Sequence, residues 1–224
     1  MVTGNGTAGK GTIADDKPIE LAGTSNAVVK GNTVTKNLAD GGISLVDDGP
    51  LDPGVAQGKI PVGGAPPPSK GNTIEDDTIT DNQGGCGIVI AAYNAGEGVI
   101  DNMVSGNTVS HHVAGIVVAT DVPGSLVEGN VVSHNVVSDN FIAGIVLHSN
   151  APGDMLIKNA VTDNTVAGNG ADGEVGAFQI TGIVEAGAVA PVTDNTITGN
   201  HVSDETVGIY VTTPPGFSRG ESSQ

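Results

Sequence analysis

The stretch that decides the fold is Asn130-Val-Val-Ser-His-Asn135-Val-Val-Ser-Asp-Asn140, followed after three further residues by Gly144-Ile145-Val146-Leu147. It contains two five-residue units that begin with Asn and carry Val at the third place. Val and Ile favour strands, whereas Asn and Gly favour the corners between strands. The stretch therefore predicts three short strands separated by corners.

The same pattern occurs at five other places in the chain. These copies begin near Ala27, Asn72, Asn102, Asn159 and Asn195, and a Gly-Ile step follows each, at Gly42, Gly87, Gly115, Gly182 and Gly208. Copies without an insertion between them lie 28 to 30 residues apart. A unit of this length with three strand-forming runs is too long for one strand and too rich in β-formers for a helical repeat. Each copy is therefore predicted to form one turn of a β-solenoid.

Stacking the turns in register aligns the apolar residues into three inward columns. The columns are Val29, Ile74, Val104, Val132, Val161 and Ile197; Val34, Ile79, Val109, Val137, Val166 and Val202; and Ile43, Ile88, Ile116, Ile145, Ile183 and Ile209. Neighbouring turns would lie about 4.8 Å apart, so each side chain would pack on its equivalents above and below. Such a core needs no large aromatic residue, in agreement with the absence of Trp.

The Asn residues that begin the units form columns as well. One of them reads Asn32, Asp77, Asn107, Asn135, Asn164 and Asn200. Asn tolerates corner conformations, and its amide can bond the backbone of the next turn. We therefore predict a structural role for these columns.

The repeat resembles that of the right-handed parallel β-helix family, the pectate-lyase-like superfamily, whose repeat looks like N-x-I-x-x-N-x-I-x-x-N followed by G-I. The resemblance covers residues 27–212. It implies an all-β fold, a single-stranded right-handed parallel β-helix (solenoid) of about six to seven turns. The handedness comes from the resemblance alone. The family includes polysaccharide lyases, hydrolases and epimerases as well as adhesins and structural coils, so the resemblance does not select one function.

The repeat also divides the chain into parts. Residues 1–26 are predicted to form a degenerate first turn or an N-terminal cap, residues 27–212 the β-helix, and residues 213–224 a flexible tail. Pro and Gly are too dense at residues 47–70 to hold a ladder, which indicates a long loop. A second insertion lies near residues 170–181, and the register after it stays open because it would direct Glu185 into the interior.

Charge and hydropathy limit the possible partners. The chain has 8 Lys and Arg against 25 Asp and Glu, a formal net charge of −17. Such a surface repels nucleic acid and anionic membranes, and no apolar run approaches the roughly 20 residues needed to cross a bilayer. We therefore expect a polysaccharide, a cell-surface component or copies of the chain itself as partners. We expect neither nucleic-acid binding nor membrane insertion. The expected location is outside the cell or at its surface.

One outward column carries candidate chemistry. It reads Lys36, Asp81, His111, Asp139, Gly168 and Asp204. His111 would lie between two carboxylates, which are the ingredients of an acid–base pair or a divalent-metal site. His111, Asp81 and Asp139 are therefore the candidate catalytic residues. The alternative is a structural column in which neighbours of opposite charge pair across strands.

Other polar residues near this column are candidates for binding. The predicted ligand-binding residues are Asp76, Asp77, His112, His134 and Tyr93. Asp76, Asp77 and Asp81 lie within one turn and are predicted to offer oxygen ligands to a weakly bound Ca²⁺. No cofactor is expected to be required.

The absence of residues and motifs typical of β-helix enzymes favours a binding or structural module over a complete enzyme. No Arg lies within the repeat, and neither the Gly-His-Gly nor the Arg-x-Lys element that the resemblance would imply for polygalacturonases occurs. A polysaccharide lyase, glycoside hydrolase or epimerase with its site near His111 remains the alternative. A more remote alternative is ice binding through the outward Thr ranks, which include Thr33, Thr78 and Thr108.

Removal of metal is expected to leave the fold intact. The glycine-rich nonapeptide that binds Ca²⁺ in other β-rolls does not occur in this sequence, and the apolar columns supply the core. A chelator should therefore lower the melting temperature only slightly, because stabilisation by a weak ligand grows with the logarithm of its concentration. Outright unfolding in chelator, followed by circular dichroism, would contradict this expectation.

Overall fold

The computed structural model describes residues 1–5, 17–38, 41–47, 67–170, 181–187, 189–190 and 192–212. Every regular element in these ranges is a strand, and they contain no helix that could cross a membrane. Residues 48–66 of the predicted loop, residues 171–180 of the predicted insertion and the predicted tail at 213–224 lie outside the described residues.

The strands form four sheets, numbered here in the order in which one turn passes through them. The first sheet consists of Ser69–Lys70, Gly98–Ile100, Leu126–Glu128, Met155–Ile157 and Val192–Thr193. The second consists of Val28–Lys30, Thr73–Glu75, Met103–Ser105, Val131–Ser133, Ala160–Thr162 and Thr196–Thr198. The third consists of Thr33–Thr35, Thr78–Thr80, Thr108–Ser110, Val136–Ser138, Thr165–Ala167 and His201–Ser203. The fourth consists of Ile19–Ala22, Ile43–Val46, Ile88–Ala92, Ala114–Thr120, Ala143–Ser149, Thr181–Gly187 and Val207–Thr212.

Each strand pairs in parallel with its equivalent one turn away. Val109, for example, lies between Ile79 and Val137, and Ile116 lies between Ile88 and Ile145. These side chains are fully buried in one continuous core. The predicted parallel β-helix and its three inward columns are confirmed, except that Ile209 on the last described strand is 49 % exposed. The sequence analysis missed a fourth column on the first sheet, made of Val99, Val127, Leu156 and Val192.

After the second insertion the strands keep the register of the other turns, a point that the sequence had left open. Glu185 pairs with Leu147 on one side and Val211 on the other, and it is 9 % exposed. Its Oε1 accepts a hydrogen bond of 3.4 Å from Nδ2 of Asn195. The amide thus supplies a polar partner to a carboxylate that stands in an apolar column.

The described residues among residues 1–26 extend the β-helix at its N-terminal end. Val2 bridges in parallel to Val34, and the backbone N–H and Nδ2 of Asn5 both donate to Oδ1 of Asn37. Ile19–Ala22 pairs with Ile43–Val46 as the first strand of the fourth sheet.

Three corners of each turn share one backbone design. The first residue of the corner adopts a left-handed conformation and points outward, and the second points inward. All the non-glycine residues with positive φ in the described ranges are such first residues: Asn26, Lys36, Asp76, Asp81, Asp101, His111, His134, Asp139, Lys158, Asp163, Asp194 and Asp204. Asn, Asp and His tolerate this conformation better than most residues. Their frequency at the corners therefore has a backbone cause.

The inward corner residues form three hydrogen-bonded ladders. The first is Asn72, Asn102, Asn130, Asn159 and Asn195; the second is Asn32, Asp77, Asn107, Asn135, Asn164 and Asn200; the third is Asn5, Asn37, Asn82, His112, Asn140, Asn169 and Glu205. In the regular case Oδ1 accepts from the preceding turn: the backbone N–H of Asn107 donates to Asn135 Oδ1 at 2.9 Å, and its Nδ2 at 3.0 Å. The structural role predicted for the Asn columns is confirmed.

A close approach requires the Gly of every Gly-Ile step except the last one, Gly208. A Cβ at Gly115 would collide with Cγ1 of Val137 and with the carbonyl oxygen of Gly144. The equivalent position at Gly144 meets Cγ1 of Val166 in the same way. The step thus lets the chain pass directly over the second column.

The substitution Val137→Asp is expected to prevent folding. It would place an unpaired charge among fully buried apolar side chains, a cost of at least about 4 kcal/mol. The matched control is Val136→Asp, because Val136 is the outward neighbour and is 45 % exposed. Circular dichroism and urea unfolding should show a folded control and an unfolded Val137→Asp variant, and a stable Val137→Asp protein would refute the inward assignment.

Candidate functional site

An open cavity of about 310 Å³ lies at the third corner, between the third and fourth sheets. Its lining residues come from three successive turns: Asn82, Gly84, His111, His112, Val113, Asp139, Asn140 and Phe141. Its volume is at the lower end of the range for small-molecule sites. We call this cavity the corner pocket.

The predicted catalytic residues are all first residues of this corner. Asp81, His111 and Asp139 have φ values of 55°, 59° and 55°, so the backbone directs the three side chains outward from consecutive turns. His111 and Asp139 line the corner pocket, and Asp81 contacts His111. The structure pairs Asp81 with His111 and places Asp139 with His111 in the pocket lining, and their catalytic role remains a prediction.

His111 and Asp81 form a defined pair. Nδ1 of His111 lies 3.3 Å from Oδ1 of Asp81 and 3.3 Å from Oγ1 of Thr80. Only the contact with Thr80 has hydrogen-bond geometry, and either atom can be its donor; the carboxylate of Asp81 can only accept, so it favours the neutral tautomer with the proton on Nδ1. Nε2 is then an acceptor. Because the two side chains are 57 % and 53 % exposed, water screens the attraction between them.

Phe141 supplies an apolar surface that the predicted set of site residues did not include. Its ring is 48 % exposed on the wall of the corner pocket, and its backbone N–H donates to the carbonyl of His112 at 2.8 Å. The signal that could have revealed it is its position one residue after the ladder Asn140, on the turn that follows His111.

His112 has a structural role in the third ladder, and its predicted role in ligand binding remains a prediction. It lines the pocket, but it is only 3 % exposed and occupies a position in the third ladder. Its Nε2 lies 3.1 Å from Nδ2 of Asn82, and its backbone N–H donates to Oδ1 of Asn140. Burial lowers the pKa of His112 to about 4. The structure therefore makes it a neutral ladder residue, because the chain turns inward directly after the left-handed His111.

Asp77 is likewise committed to a ladder. Its Oδ1 accepts from the backbone N–H and Nδ2 of Asn32 at 2.6 and 3.0 Å, and the residue is 1 % exposed. Burial raises the pKa of its carboxyl above the ordinary value. Asp76, in contrast, points outward to Nζ of Lys30 at 3.4 Å. Asp81, the third predicted Ca²⁺ ligand, contacts His111. The three predicted ligands therefore have separate partners.

Tyr93 and His134 lie away from the corner pocket. Tyr93 is half-buried against the outer face of the fourth sheet, and its backbone N–H donates to the buried Asp47, whose pKa burial raises to about 6. His134 is the first residue of a second-corner turn, with φ of 56°. The structure does not bring either residue to the other predicted ligand-binding positions.

Two family models match the chain. One, described as a right handed beta helix region, matches residues 2–132, and the other, described as a periplasmic copper-binding protein (NosD), matches residues 68–215. The chain belongs to the right-handed β-helix repeat family. Membership of this β-helix family confirms the predicted fold and handedness, and the periplasmic description agrees with a location outside the cytoplasm. No curated protein and no solved structure gives a significant match.

The described residues do not fit a copper site. Copper in proteins is bound mainly by His, Cys and Met side chains, but these ranges contain no group of three His, Cys, Asp or Glu residues that could hold a metal ion. Nδ1 of His112 is a buried nitrogen without a hydrogen-bond partner there. It faces the backbone of Gly87, where an added Cβ would lie 3.1 Å away. This nitrogen is therefore enclosed by protein and is not placed to bind copper.

Replacement of His112 by Asn is expected to remove one source of acid sensitivity. The pKa of His112 is about 4 in the folded protein and about 6.5 in the unfolded chain. The unfolded chain therefore binds more protons between these values, so the wild type loses stability as the pH falls from 6.5 to 4. The loss attributable to His112 is about 3 kcal/mol, and His112→Asn should not show it.

Urea unfolding at pH 7.5, 5.5 and 4 measures this difference. The buried acids are common to both proteins, so the difference between them isolates His112. The control is His111→Asn, which should retain the acid sensitivity of the wild type because it still contains His112. Equal pH dependence in wild type and His112→Asn would contradict the neutral ladder role.

Proposed function

We propose that this chain is an extracellular or cell-surface β-helix module that binds polysaccharide at the corner pocket. The observation that carries the proposal is the half-exposed ring of Phe141 in a cavity that also presents His111 and Asp139. Sugar rings combine apolar C–H faces with hydroxyl groups. An aromatic surface beside carboxylate and imidazole acceptors matches both parts of that chemistry.

The hydrogen bonds that hold the pocket wall in place support this proposal. Asn82 and Asn140 line the pocket, and each is also part of the buried third ladder. Nδ2 of Asn140 donates to Asn169 Oδ1 at 2.8 Å, and Nδ2 of Asn82 donates to the carbonyl of Val34 at 3.1 Å. A surface held in this way loses little conformational entropy when a ligand binds. The match to a periplasmic family model supports a role outside the cytoplasm.

Replacement of Phe141 by Ala should weaken polysaccharide binding about tenfold, since aromatic contacts contribute on the order of 1 kcal/mol beyond area burial. The binding partner would first be found by screening immobilised polysaccharides, and affinity would then be measured by calorimetry. The matched control is Val136→Ala, because Val136 is 45 % exposed on the third sheet but does not line the pocket. Equal loss in both variants, or no binding to any polysaccharide, would refute the proposal.

A second candidate function is polysaccharide cleavage or epimerisation at the same pocket. The contact of His111 with Asp81 favours it, because a carboxylate that holds Nδ1–H leaves Nε2 as a base. The test is turnover of pectate, alginate and neutral polysaccharides by wild type and His111→Ala. If the wild type turns over a polysaccharide and His111→Ala abolishes turnover but not binding, the protein is an enzyme and not only a binding module.

The ice-binding alternative has less support. Thr33, Thr78 and Thr108 pair in register on the third sheet, but Val136 follows them in the same row and is 45 % exposed. The row of hydroxyl groups is therefore interrupted after three turns.

A further inference from the structure

We propose that the corner pocket discriminates sugars by charge: it excludes uronic acids and prefers amino sugars, and Asp139 determines this preference. The inference rests on the proposed function, and it names the class of sugar that the site accepts. It differs from the binding of acidic polysaccharide, for which a site needs basic residues or a bound cation.

The lining of the pocket carries more negative than positive charge: Lys17, whose charge reaches His112, does not itself line the pocket. Asp139 lines the wall, Asp81 lies behind His111, and the lining contains neither Lys nor Arg. His112 adds no positive charge at neutral pH, because burial keeps its pKa at about 4. The field at the pocket therefore repels a carboxylate and attracts an ammonium group.

The Lys in the same outward column is too far away to change this balance. Lys36 stands on the turn before Asp81, three turns from Asp139. At a spacing of about 4.8 Å per turn the separation is roughly 14 Å, which exceeds the Debye length of about 8 Å at physiological salt. The other cation that could bridge a uronate is Ca²⁺, and the described ranges hold no group of three acidic or His side chains for it.

Asp139 is placed to pair with an amine on the bound ring. Its left-handed backbone directs the side chain outward, and it lines the same cavity as the exposed face of Phe141. A ring that stacks on Phe141 can thus present a substituent to the carboxylate. A charge-assisted hydrogen bond at a partly exposed site corresponds to roughly a fivefold preference for the amine over a hydroxyl group.

The experiment compares tetrasaccharides of equal length and linkage. Three probes, each in the α-1,4 and β-1,4 series, carry a neutral hexose, a hexosamine with a free amine, or a hexuronic acid, and calorimetry at pH 7 and low salt measures their affinities. The expected order is hexosamine above hexose by about fivefold, with uronic acid weakest. Added NaCl at 0.5 M should reduce the differences, because salt screens exposed charges.

The substitution Asp139→Asn identifies the residue responsible. Asn tolerates the left-handed corner, so the fold should persist while the ratio of hexosamine to hexose affinity falls towards one. The matched control is Asp163→Asn, since Asp163 is an exposed first residue of another corner with φ of 56° and does not line the pocket. It should retain the wild-type ratio.

The outcomes separate the two proposals. Binding of the uronic acid as tightly as the hexose, or a hexosamine preference that survives Asp139→Asn, overturns the charge discrimination and leaves the sugar site in place. Failure of all the probes to bind at millimolar concentration, or binding that Phe141→Ala does not weaken, overturns the proposed function itself.

Discussion

The hydrogen bond from one turn to the amide oxygen of the next is the interaction on which the rest of the structure depends. Each corner turns a backbone N–H inward, where no strand partner exists, and a buried N–H without an acceptor costs about 1–3 kcal/mol. Oδ1 of the ladder Asn removes this cost, as in the contact of Asn102 N–H with Asn130 at 3.0 Å. Three such ladders hold three corners, so the turns stack in one register.

The exceptions in the ladders show which part of the amide matters. Asp77, His112 and Glu205 replace Asn, and each keeps an acceptor: Oδ1, Nε2 and Oε1 respectively contact the preceding turn. Each also leaves its second polar atom buried and without a partner among the described residues. Burial accordingly raises the pKa of both carboxyls and lowers that of His112. The acceptor is therefore the common requirement, and loss of the amide donor is tolerated.

The same corners create the functional surface. The residue before each ladder position must adopt a left-handed conformation, which selects Gly, Asn, Asp and His. Asp and His at an outward corner are therefore explained by the backbone before any chemistry is considered. The corner pocket adds a cavity and the exposed Phe141 to this backbone pattern, and these features, not the acidic column alone, carry the functional proposals.

The sequence by itself determined the solenoid, the register of its regular turns and the direction of the strand residues in three of the four sheets. These follow because the repeat length is nearly constant and strand side chains alternate between two faces; even Glu185 occupies the column that the pattern assigned to it. The pairing of His111 with Asp81 also followed from the columns.

Only the tertiary structure separated the roles of His111 and His112. The two are adjacent and identical in type, yet one is 57 % exposed at the side chain and the other is 3 % exposed overall, because the left-handed corner turns the chain between them. The structure likewise placed Phe141 in the corner pocket and Tyr93 elsewhere. Burial at a corner depends on how the chain turns and stacks in three dimensions, and the order of residue types does not specify it.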